Sequence, residues 1–184
     1  RIPNIEKLGL NEIGIKTGKQ GNIIVNKFNQ TNVESIYAIG DVTDRINLTP
    51  VAIAEGHAFS DREFGNKNSF ISYDNVPSAV FSQPPVSVVG LTLEDAKTLN
   101  IKAKEFVSEF NPLKNTITGK QENTLMKLVV DENDKVLGAH MLGDYSPEII
   151  QGIAVSIKAG AKKSDFDATI GIHPTAAEEF VTMK

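Results

Sequence analysis

The sequence places His173 five residues before Glu178, and this spacing permits a contact in which a carboxylate supports an acid–base histidine. Histidine is the side chain best suited to exchanging a proton near neutral pH, and a carboxylate partner orients the ring and stabilises its charged form. The same segment also fits a capping box, in which Thr175 is the N-cap and Glu178 only accepts a backbone N–H. The spacing leaves both hypotheses open. The other two histidines are predicted to be a surface residue in a helix, His57, and a structural residue in a strand, His140.

A second candidate site joins a carboxylate to the start of a helix. Asp41 follows Gly40 at the end of an apolar run, and Thr49 begins a helical pattern eight residues later. Open α/β sheets bind ligands at the carboxyl ends of their strands, where a carboxylate accepts hydrogen bonds from sugar or ribityl hydroxyls. The free N–H groups at a helix start suit an electron-rich ring that gains negative charge on reduction. The competing hypothesis is an ordinary turn followed by an ordinary helix cap.

The overall composition excludes several classes of protein. The 184 residues are 40% apolar and 23% charged, as in ordinary globular proteins, and the formal net charge is −4. A negative chain is a poor partner for nucleic acid, and no apolar run approaches the roughly 18 residues of a membrane span. The absence of cysteine excludes a disulfide framework, a thiolate metal site and a thiol nucleophile within these residues. We therefore expect no nucleic acid, membrane or metal partner.

A polar, turn-rich stretch at residues 66–77 separates two halves of the chain. In the first half, the patterns predict strands at 22–25 and 35–39. A helix is then predicted with Thr49 as its N-cap, running to about Phe64. This strand–turn–helix unit is typical of an α/β fold, although it lacks the partner strands of a complete parallel sheet.

The second half is predicted to be a mostly antiparallel sheet with helices, an α+β arrangement. Its residues 131–134 are predicted to join two strands as a hairpin. The predicted strands are 79–82, 86–89, 125–130 and 136–141, and the predicted helices are 93–99 with Thr92 as N-cap, 146–159 ended by Gly160, and a short turn at 165–168 capped by Ser164.

Two long motifs resemble those of glutathione reductases, which are class I pyridine nucleotide-disulfide oxidoreductases. Residues 37–52 (YAIGDVTDRINLTPVA) are similar to the second FAD-binding motif of that family, and residues 171–183 (GIHPTAAEEFVTM) to its C-terminal active-site segment. Residues 79–85 (AVFSQPP) and 165–169 (DFDAT) also fit. The resemblance covers essentially the whole chain, with the motifs in the family's order.

The resemblance implies a domain plan. Residues 1–3 would be a remnant of an NADPH domain, residues 4–74 the C-terminal part of a Rossmann-like FAD-binding domain, and residues 75–184 the interface domain of a homodimer. The phosphate-binding loop, the redox dithiol and most of the NADPH domain would then lie upstream of this chain. The full-length parent would be a cytoplasmic enzyme that uses FAD and NADPH to reduce glutathione disulfide. We expect no stably bound cofactor on the fragment itself.

The resemblance also implies roles for individual residues. Asp41 would hydrogen-bond the ribityl chain of FAD, and Thr49 would sit against the pyrimidine edge of the flavin. His173 would be the acid–base in the partner subunit's active site and would protonate the leaving glutathione thiolate. Glu178 would orient His173, and Glu179 would help to hold glutathione disulfide.

Two further expectations come from the same resemblance. Cis peptide bonds are expected before Pro84 and Pro174, although only about 5% of X–Pro bonds are cis. Many relatives carry a Met–Tyr pair where this chain has Leu113 and Lys114. Leu113 can replace methionine as an apolar contact for glutathione. Lys114 in place of tyrosine removes an aromatic ring and adds a positive charge.

Related disulfide reductases are the alternatives. Dihydrolipoyl dehydrogenases also end in a His-Pro…Glu segment but lack the Leu-Thr-Pro-Val-Ala form of residues 48–52 and the paired Glu178 and Glu179. Mercuric reductases add C-terminal cysteines, which this chain lacks. Trypanothione reductases are the nearest alternative and differ mainly in pocket residues that would lie upstream. A hypothesis of another class is that the chain by itself is a catalytically inert dimerisation module.

Overall fold

The structure is a computed structural model that describes residues 2–184. The polypeptide folds as two units, one ending at Tyr73 and the other spanning Asp74–Lys184. Arg1, the first residue of the predicted remnant 1–3, lies outside the described residues. The assignment of residues 1–3, 4–74 and 75–184 to named domains stays a prediction.

The first unit does not contain the two strands predicted at 22–25 and 35–39. Its extended segments form only isolated bridges, between Thr17 and Ile23 and between Gln30 and Tyr37. A strand requires a continuous ladder of backbone hydrogen bonds to a neighbour, and residues 2–73 supply single bridges instead. The apolar side chains of these segments are still used, because Ile15, Ile23 and Ala38 form a small buried cluster.

Helix α1 (Thr49–Glu63) confirms the predicted helix but not its predicted cap. The N-cap is Leu48, which has extended backbone angles and no side-chain cap bond. The Leu48 carbonyl already accepts the N–H groups of Val51 and Ala52 at 3.0 and 3.1 Å, so Thr49 is the first residue inside the helix. A 3₁₀ turn at Gly40–Thr43 precedes α1 in the chain.

The second unit is built on one antiparallel sheet of five strands, which confirms the predicted sheet with helices. Its spatial order is β1-β2-β5-β4-β3, and β4 and β5 form the predicted hairpin. The first strand is shorter than predicted, because Val80 pairs with Val86 and the chain must reverse between them. The strands are β1 (Ser78–Val80), β2 (Val86–Gly90), β3 (Ala103–Phe110), β4 (Thr124–Asp131) and β5 (Val136–Leu142).

Helices cover this sheet and complete its core. The longest, α4, places Ile150, Ala154 and Ile157 on one face at helical spacing, and these pack with side chains of β2, β4 and β5. Each apolar side chain that is fully buried in this way contributes about 1.5–3 kcal/mol. The helices are α2 (Leu93–Thr98), α3 (Leu113–Thr118), α4 (Ser146–Lys158), α5 (Lys163–Ala168) and α6 (Glu179–Thr182).

In the second unit, the start of α2 confirms a predicted cap and the start of α5 does not. Thr92 caps α2 in a full capping box, as predicted, with the Asp95 carboxylate accepting the Thr92 N–H at 3.0 Å. The prediction that Ser164 caps the next short helix is wrong. Ser164 lies inside α5, its N–H is donated to Asp134 at 2.9 Å, and the residue before the helix is Lys162.

Candidate functional site

His173 and Glu178 are in direct contact. The Nδ1 atom of His173 lies 3.0 and 3.2 Å from the two carboxylate oxygens of Glu178. Because an ionised carboxylate only accepts hydrogen bonds, Nδ1 carries the proton in this arrangement and Nε2 is left to exchange one. The His173 side chain is 75% exposed, against 21% for Glu178. The ring is therefore held from one side and open to a ligand on the other.

The backbone around this pair decides against the capping-box hypothesis. A 3₁₀ turn at Ala176–Glu178 follows Thr175, whose side chain makes no cap hydrogen bond. Gly171 leaves the space that Glu178 occupies, because a Cβ atom at Gly171 would lie 2.8 Å from the Glu178 Cβ. The segment therefore turns the carboxylate towards the imidazole rather than towards its own helix terminus. The peptide bonds before Pro84 and Pro174 are both cis, as predicted.

Glu179 is held by the sheet rather than by the histidine. Its Oε2 atom accepts a hydrogen bond of 2.9 Å from the Ser108 hydroxyl on β3. The following residue, Phe180, is 1% exposed and belongs to the core. A buried anchor on one side and a hydroxyl on the other therefore fix where the second glutamate points.

A cavity of about 780 Å³ brings these residues together with Leu113. Four of the six predicted site residues line it, and all belong to the second unit. Leu113 contributes an apolar surface and is 55% exposed. A volume of this size, with an apolar lining and a few charged groups, is typical of a small-molecule site. The lining residues are Phe110–Lys114, Ile117, Thr124, Asp144, Tyr145, Ile149 and Ile172–Glu179.

Lys114 also lines the cavity and forms an ion pair there. Its Nζ atom lies 2.5 Å from Asp144 Oδ2 and 4.8 Å from the centre of the Tyr145 ring. The hydrogen bond from Lys114 lowers the pKa of the Asp144 carboxyl, and the same bond raises the pKa of Lys114. Both groups are therefore charged at neutral pH.

The other two predicted residues, Asp41 and Thr49, belong to the first unit. Asp41 is exposed in the 3₁₀ turn and lines a smaller cavity of about 280 Å³ together with Asn47. Thr49 is exposed at the start of α1, whose first turn contains no acidic residue. The positive end of this helix is therefore uncompensated within its own first turn. An exposed carboxylate and an open helix start are groups that fit the hydroxyls and the ring of a flavin.

Sequence reasoning missed a buried carboxylate beneath the Asp41 turn. Glu55 is 1% exposed and accepts hydrogen bonds from the Gly40 N–H at 2.6 Å and from the Tyr73 hydroxyl at 2.5 Å. Arg45 in turn donates to the Tyr73 oxygen at 2.7 Å. The available signal was the helical spacing, since Glu55 lies one turn after the apolar Val51 and shares its buried face.

Gly40 needs to be glycine in this arrangement. Its φ is +71°, a conformation that residues with side chains rarely adopt, and a Cβ atom there would lie 3.1 Å from the Ala52 Cβ. The turn that presents Asp41 is thus held by backbone conformation, by contact with α1 and by the Glu55 carboxylate.

Comparison with known proteins identifies the family. The profile of the pyridine nucleotide-disulphide oxidoreductase dimerisation domain matches residues 76–184, more than half of the chain. The chain belongs to the pyridine nucleotide-disulphide oxidoreductase family. A second profile of the pyridine nucleotide-disulphide oxidoreductases matches residues 1–56.

Curated members of this family align over the whole chain. A protein named glutathione reductase from Nostoc sp. is 49% identical over 197 residues, which cover 100% of this chain and 43% of the relative. The chloroplastic/mitochondrial glutathione reductase of Pisum sativum is 52% identical, with 100% of this chain and 34% of the relative covered. The chain thus spans about two fifths or less of the length of these relatives.

A solved oxidoreductase structure has the same fold. The HOCl-induced flavoprotein disulfide reductase RclA from Escherichia coli matches with a TM-score of 0.86 at 26% identity. The match covers 100% of this chain and 42% of that protein. The antiparallel sheet of the second unit is therefore that of a pyridine nucleotide-disulphide oxidoreductase.

Proposed function

We propose that the chain is the C-terminal part of an NADPH-dependent glutathione-disulfide reductase. The observation that carries the proposal is the contact between His173 and Glu178 in a cavity that also holds Glu179 and Leu113. Whole-chain similarity to proteins named glutathione reductase, at about half identity, supports the choice of substrate. In the overall reaction, NADPH and a proton reduce one disulfide to two glutathione thiols.

His173 acts as the acid–base of thiol–disulfide exchange. A thiolate of the redox dithiol attacks one sulfur of glutathione disulfide, the sulfur–sulfur bond breaks, and the departing thiolate takes a proton from Nε2. Glu178 holds Nδ1–H, fixes the ring orientation and stabilises the imidazolium before the proton leaves. Departure is easier when the proton arrives in the same step, so this pair lowers the barrier of the exchange.

Glu179 and Leu113 bind the substrate in this proposal. The Glu179 carboxylate accepts hydrogen bonds from the ammonium or amide groups of glutathione, while Leu113 packs against its apolar atoms. The Ser108 hydroxyl pre-orients Glu179, so that less side-chain freedom is lost on binding. In this proposal the cavity serves the dithiol of the partner subunit, in a homodimer that forms through residues 75–184.

The first unit supplies part of a flavin site. Asp41 would accept hydrogen bonds from the ribityl hydroxyls of FAD, and the N–H groups at the start of α1, near Thr49, would stabilise the negative charge that the ring gains on reduction. When bound, FAD supplies electron transfer between NADPH and the redox dithiol. The domain assignments 1–3, 4–74 and 75–184 are part of the same proposal.

A cytoplasmic location is also part of the proposal. Within residues 2–184, no helix has the length and apolar character needed to cross a membrane. One relative, the Pisum sativum protein, is named chloroplastic/mitochondrial.

Steady-state turnover of the full-length protein tests the substrate. The purified protein is loaded with FAD and assayed with NADPH and either glutathione disulfide or trypanothione disulfide. A separate assay measures the oxidation of dihydrolipoamide by NAD⁺. We expect glutathione disulfide to be preferred in kcat/KM by at least about a hundredfold, the discrimination that roughly 3 kcal/mol of differential binding produces. Preference for the bulky cationic disulfide or for dihydrolipoamide would contradict the assignment.

A further inference from the structure

Two segments of the second unit place Lys114 in the His173 cavity. It lies in α3, while its partners Asp144 and Tyr145 lie in the connection between β5 and α4. The next residue, Asn115, is 4% exposed and donates its side-chain N–H to the Glu122 carbonyl at 3.0 Å. The connection before α4 is equally constrained, because a Cβ atom at Gly143 would lie 2.6 Å from the Thr124 hydroxyl.

The ammonium of Lys114 has donors to spare. An ammonium group carries three N–H donors, of which Asp144 accepts one at 2.5 Å. The Tyr145 ring covers one face of the group at 4.8 Å. Lys114 lines the cavity and 46% of its side chain is exposed, so its remaining donors are accessible to a ligand. Asp144 therefore holds the ammonium in place and leaves two of its N–H donors for a ligand.

The charges around the cavity make Lys114 distinctive. The acidic side chains that line it are Asp144, Glu178 and Glu179. Of the lining residues between positions 2 and 184, Lys114 is the single lysine or arginine. Glu178 is engaged by the histidine and Glu179 by Ser108. Apart from the imidazole of His173, the cation that this part of the chain offers to an anionic ligand in the cavity is the Lys114 ammonium.

We propose that Lys114 is a carboxylate-binding subsite of this cavity, which holds a carboxylate of the disulfide substrate while Asp144 positions the ammonium. The inference rests on the proposed function, because it concerns the site that binds glutathione disulfide. Glutathione carries carboxylates on its glycine and γ-glutamyl residues, so it presents the complementary charge. A charge-assisted hydrogen bond of this kind is roughly twice as strong as a neutral one.

The test compares two substrates and several variants of the full-length enzyme. Lys114→Met removes the charge, Lys114→Arg keeps it, and Lys102→Met is the matched control. Lys102 also pairs with a carboxylate, Glu132 at 3.5 Å, but it lies outside the cavity and is 84% exposed. The substrates are glutathione disulfide and its fully esterified ethyl ester, which has the same disulfide but no carboxylates. Steady-state KM and kcat are measured for each pair.

We expect Lys114→Met to raise KM for glutathione disulfide about tenfold, with kcat changed by less than about twofold, as for a lost binding interaction. Lys114→Arg retains KM within about threefold, because the positive charge remains. The ester is reduced with the same KM by the parent enzyme and by Lys114→Met. Salt raises KM more steeply in the parent enzyme than in Lys114→Met, since only the former uses this attraction.

Three results would overturn the subsite. One is an unchanged KM for glutathione disulfide in Lys114→Met, and another is an equal rise in KM for the disulfide and its ester, which would mean that Lys114 only shapes α3. The third is an equal effect of Lys102→Met, which would indicate a general loss of positive charge. If the parent enzyme does not reduce glutathione disulfide, the proposed function is wrong and the subsite falls with it.

Discussion

Glu55 in the first unit and Glu178 in the second have the same functional group, but one carboxylate is buried and the other is partly exposed. Glu55 is 1% exposed, and its two oxygens accept a backbone N–H from Gly40 and a hydroxyl from Tyr73. Glu178 is partly exposed and faces a single partner, the largely exposed ring of His173. A buried carboxylate whose oxygens are both satisfied holds backbone in place. An open pair with one free ring nitrogen can move a proton.

The difference shows how burial separates structural from chemical roles in one chain. In the first unit, Arg45, Tyr73 and Glu55 form a series of hydrogen bonds that ends on the turn presenting Asp41. In the second unit, the polar groups at the cavity keep unused donors or acceptors for a ligand. The two regions therefore predict different consequences when a side chain is removed.

The largest expected effect is on catalysis, from His173→Gln in the full-length enzyme. Glutamine retains a hydrogen-bonding side chain but cannot deliver a proton, so we expect disulfide turnover to fall by roughly 10²–10⁴-fold. Flavin reduction by NADPH, followed by stopped-flow absorbance, stays as fast as in the parent enzyme. The exposed His57 provides the control, since His57→Gln should leave both rates unchanged. A parallel loss of both half-reactions would contradict the role assigned to His173.

A large effect on stability is expected from Glu55→Ala. The change leaves the Gly40 N–H and the Tyr73 hydroxyl without their acceptor, at a cost of about 3 kcal/mol in the free energy of unfolding. The measurement is a urea unfolding curve of the full-length protein, read with the FAD content of the purified variant, which should fall with the loss of the turn. Glu34→Ala is the matched control, because Glu34 is exposed. Equal unfolding curves for the two variants would remove the contrast with Glu178.

A smaller effect, and of the opposite kind, is expected from Glu178→Gln. Glutamine orients the ring but does not stabilise the imidazolium, so kcat should fall by roughly tenfold, or about 1.4 kcal/mol in the barrier. The free energy of unfolding should change by less than about 0.5 kcal/mol, as is usual for surface positions. A stability loss near 1 kcal/mol with unchanged kcat is the signature of a helix cap. That result would restore the capping-box hypothesis.

The smallest expected effect is that of the histidine His140 on the pH dependence of the free energy of unfolding. Burial lowers the pKa of His140 in β5, while the charges of Glu105 and Asp95 raise it and that of Lys127 lowers it further. Among residues 2–184, the buried Nε2 of His140 has no hydrogen-bond partner. The unfolded chain, with a histidine pKa of about 6.5, binds the proton first. The contribution of His140 to the free energy of unfolding is therefore fully present above that pKa and is lost as the pH falls below it.

His140→Gln tests this sign. The variant should lose less stability than the parent enzyme when urea midpoints are compared at pH values between about 7 and 5, because it has no buried group to protonate. His57→Gln, at an exposed position, should follow the parent enzyme. A steeper acid loss in His140→Gln than in the parent would mean that His140 is stabilised when charged.

Local patterns predicted much of the second unit. The β4–β5 hairpin, α4 with its apolar face and the capping box of Thr92 all depend on residues close in sequence. The wrong predictions concern elements whose structure depends on residues distant in sequence. The strands at 22–25 and 35–39 lack a continuous hydrogen-bonded neighbour within residues 2–73, and Ser164 is drawn into α5 by a bond to Asp134, thirty residues earlier.

The sequence by itself determined which groups are available for chemistry. It contains no cysteine, three histidines, and one of these five residues before a glutamate, in motifs specific enough to name a family. Tertiary structure decided between the two hypotheses for Glu178, because the space at Gly171 and the turn after Thr175 direct its carboxylate to the ring. It also gave Glu55 a structural role. Helical spacing places Glu55 on the face of Val51, but its hydrogen bonds to Gly40 and Tyr73 depend on the rest of the fold. Spacing limits which residues can meet, whereas burial and backbone direction are set by the rest of the fold.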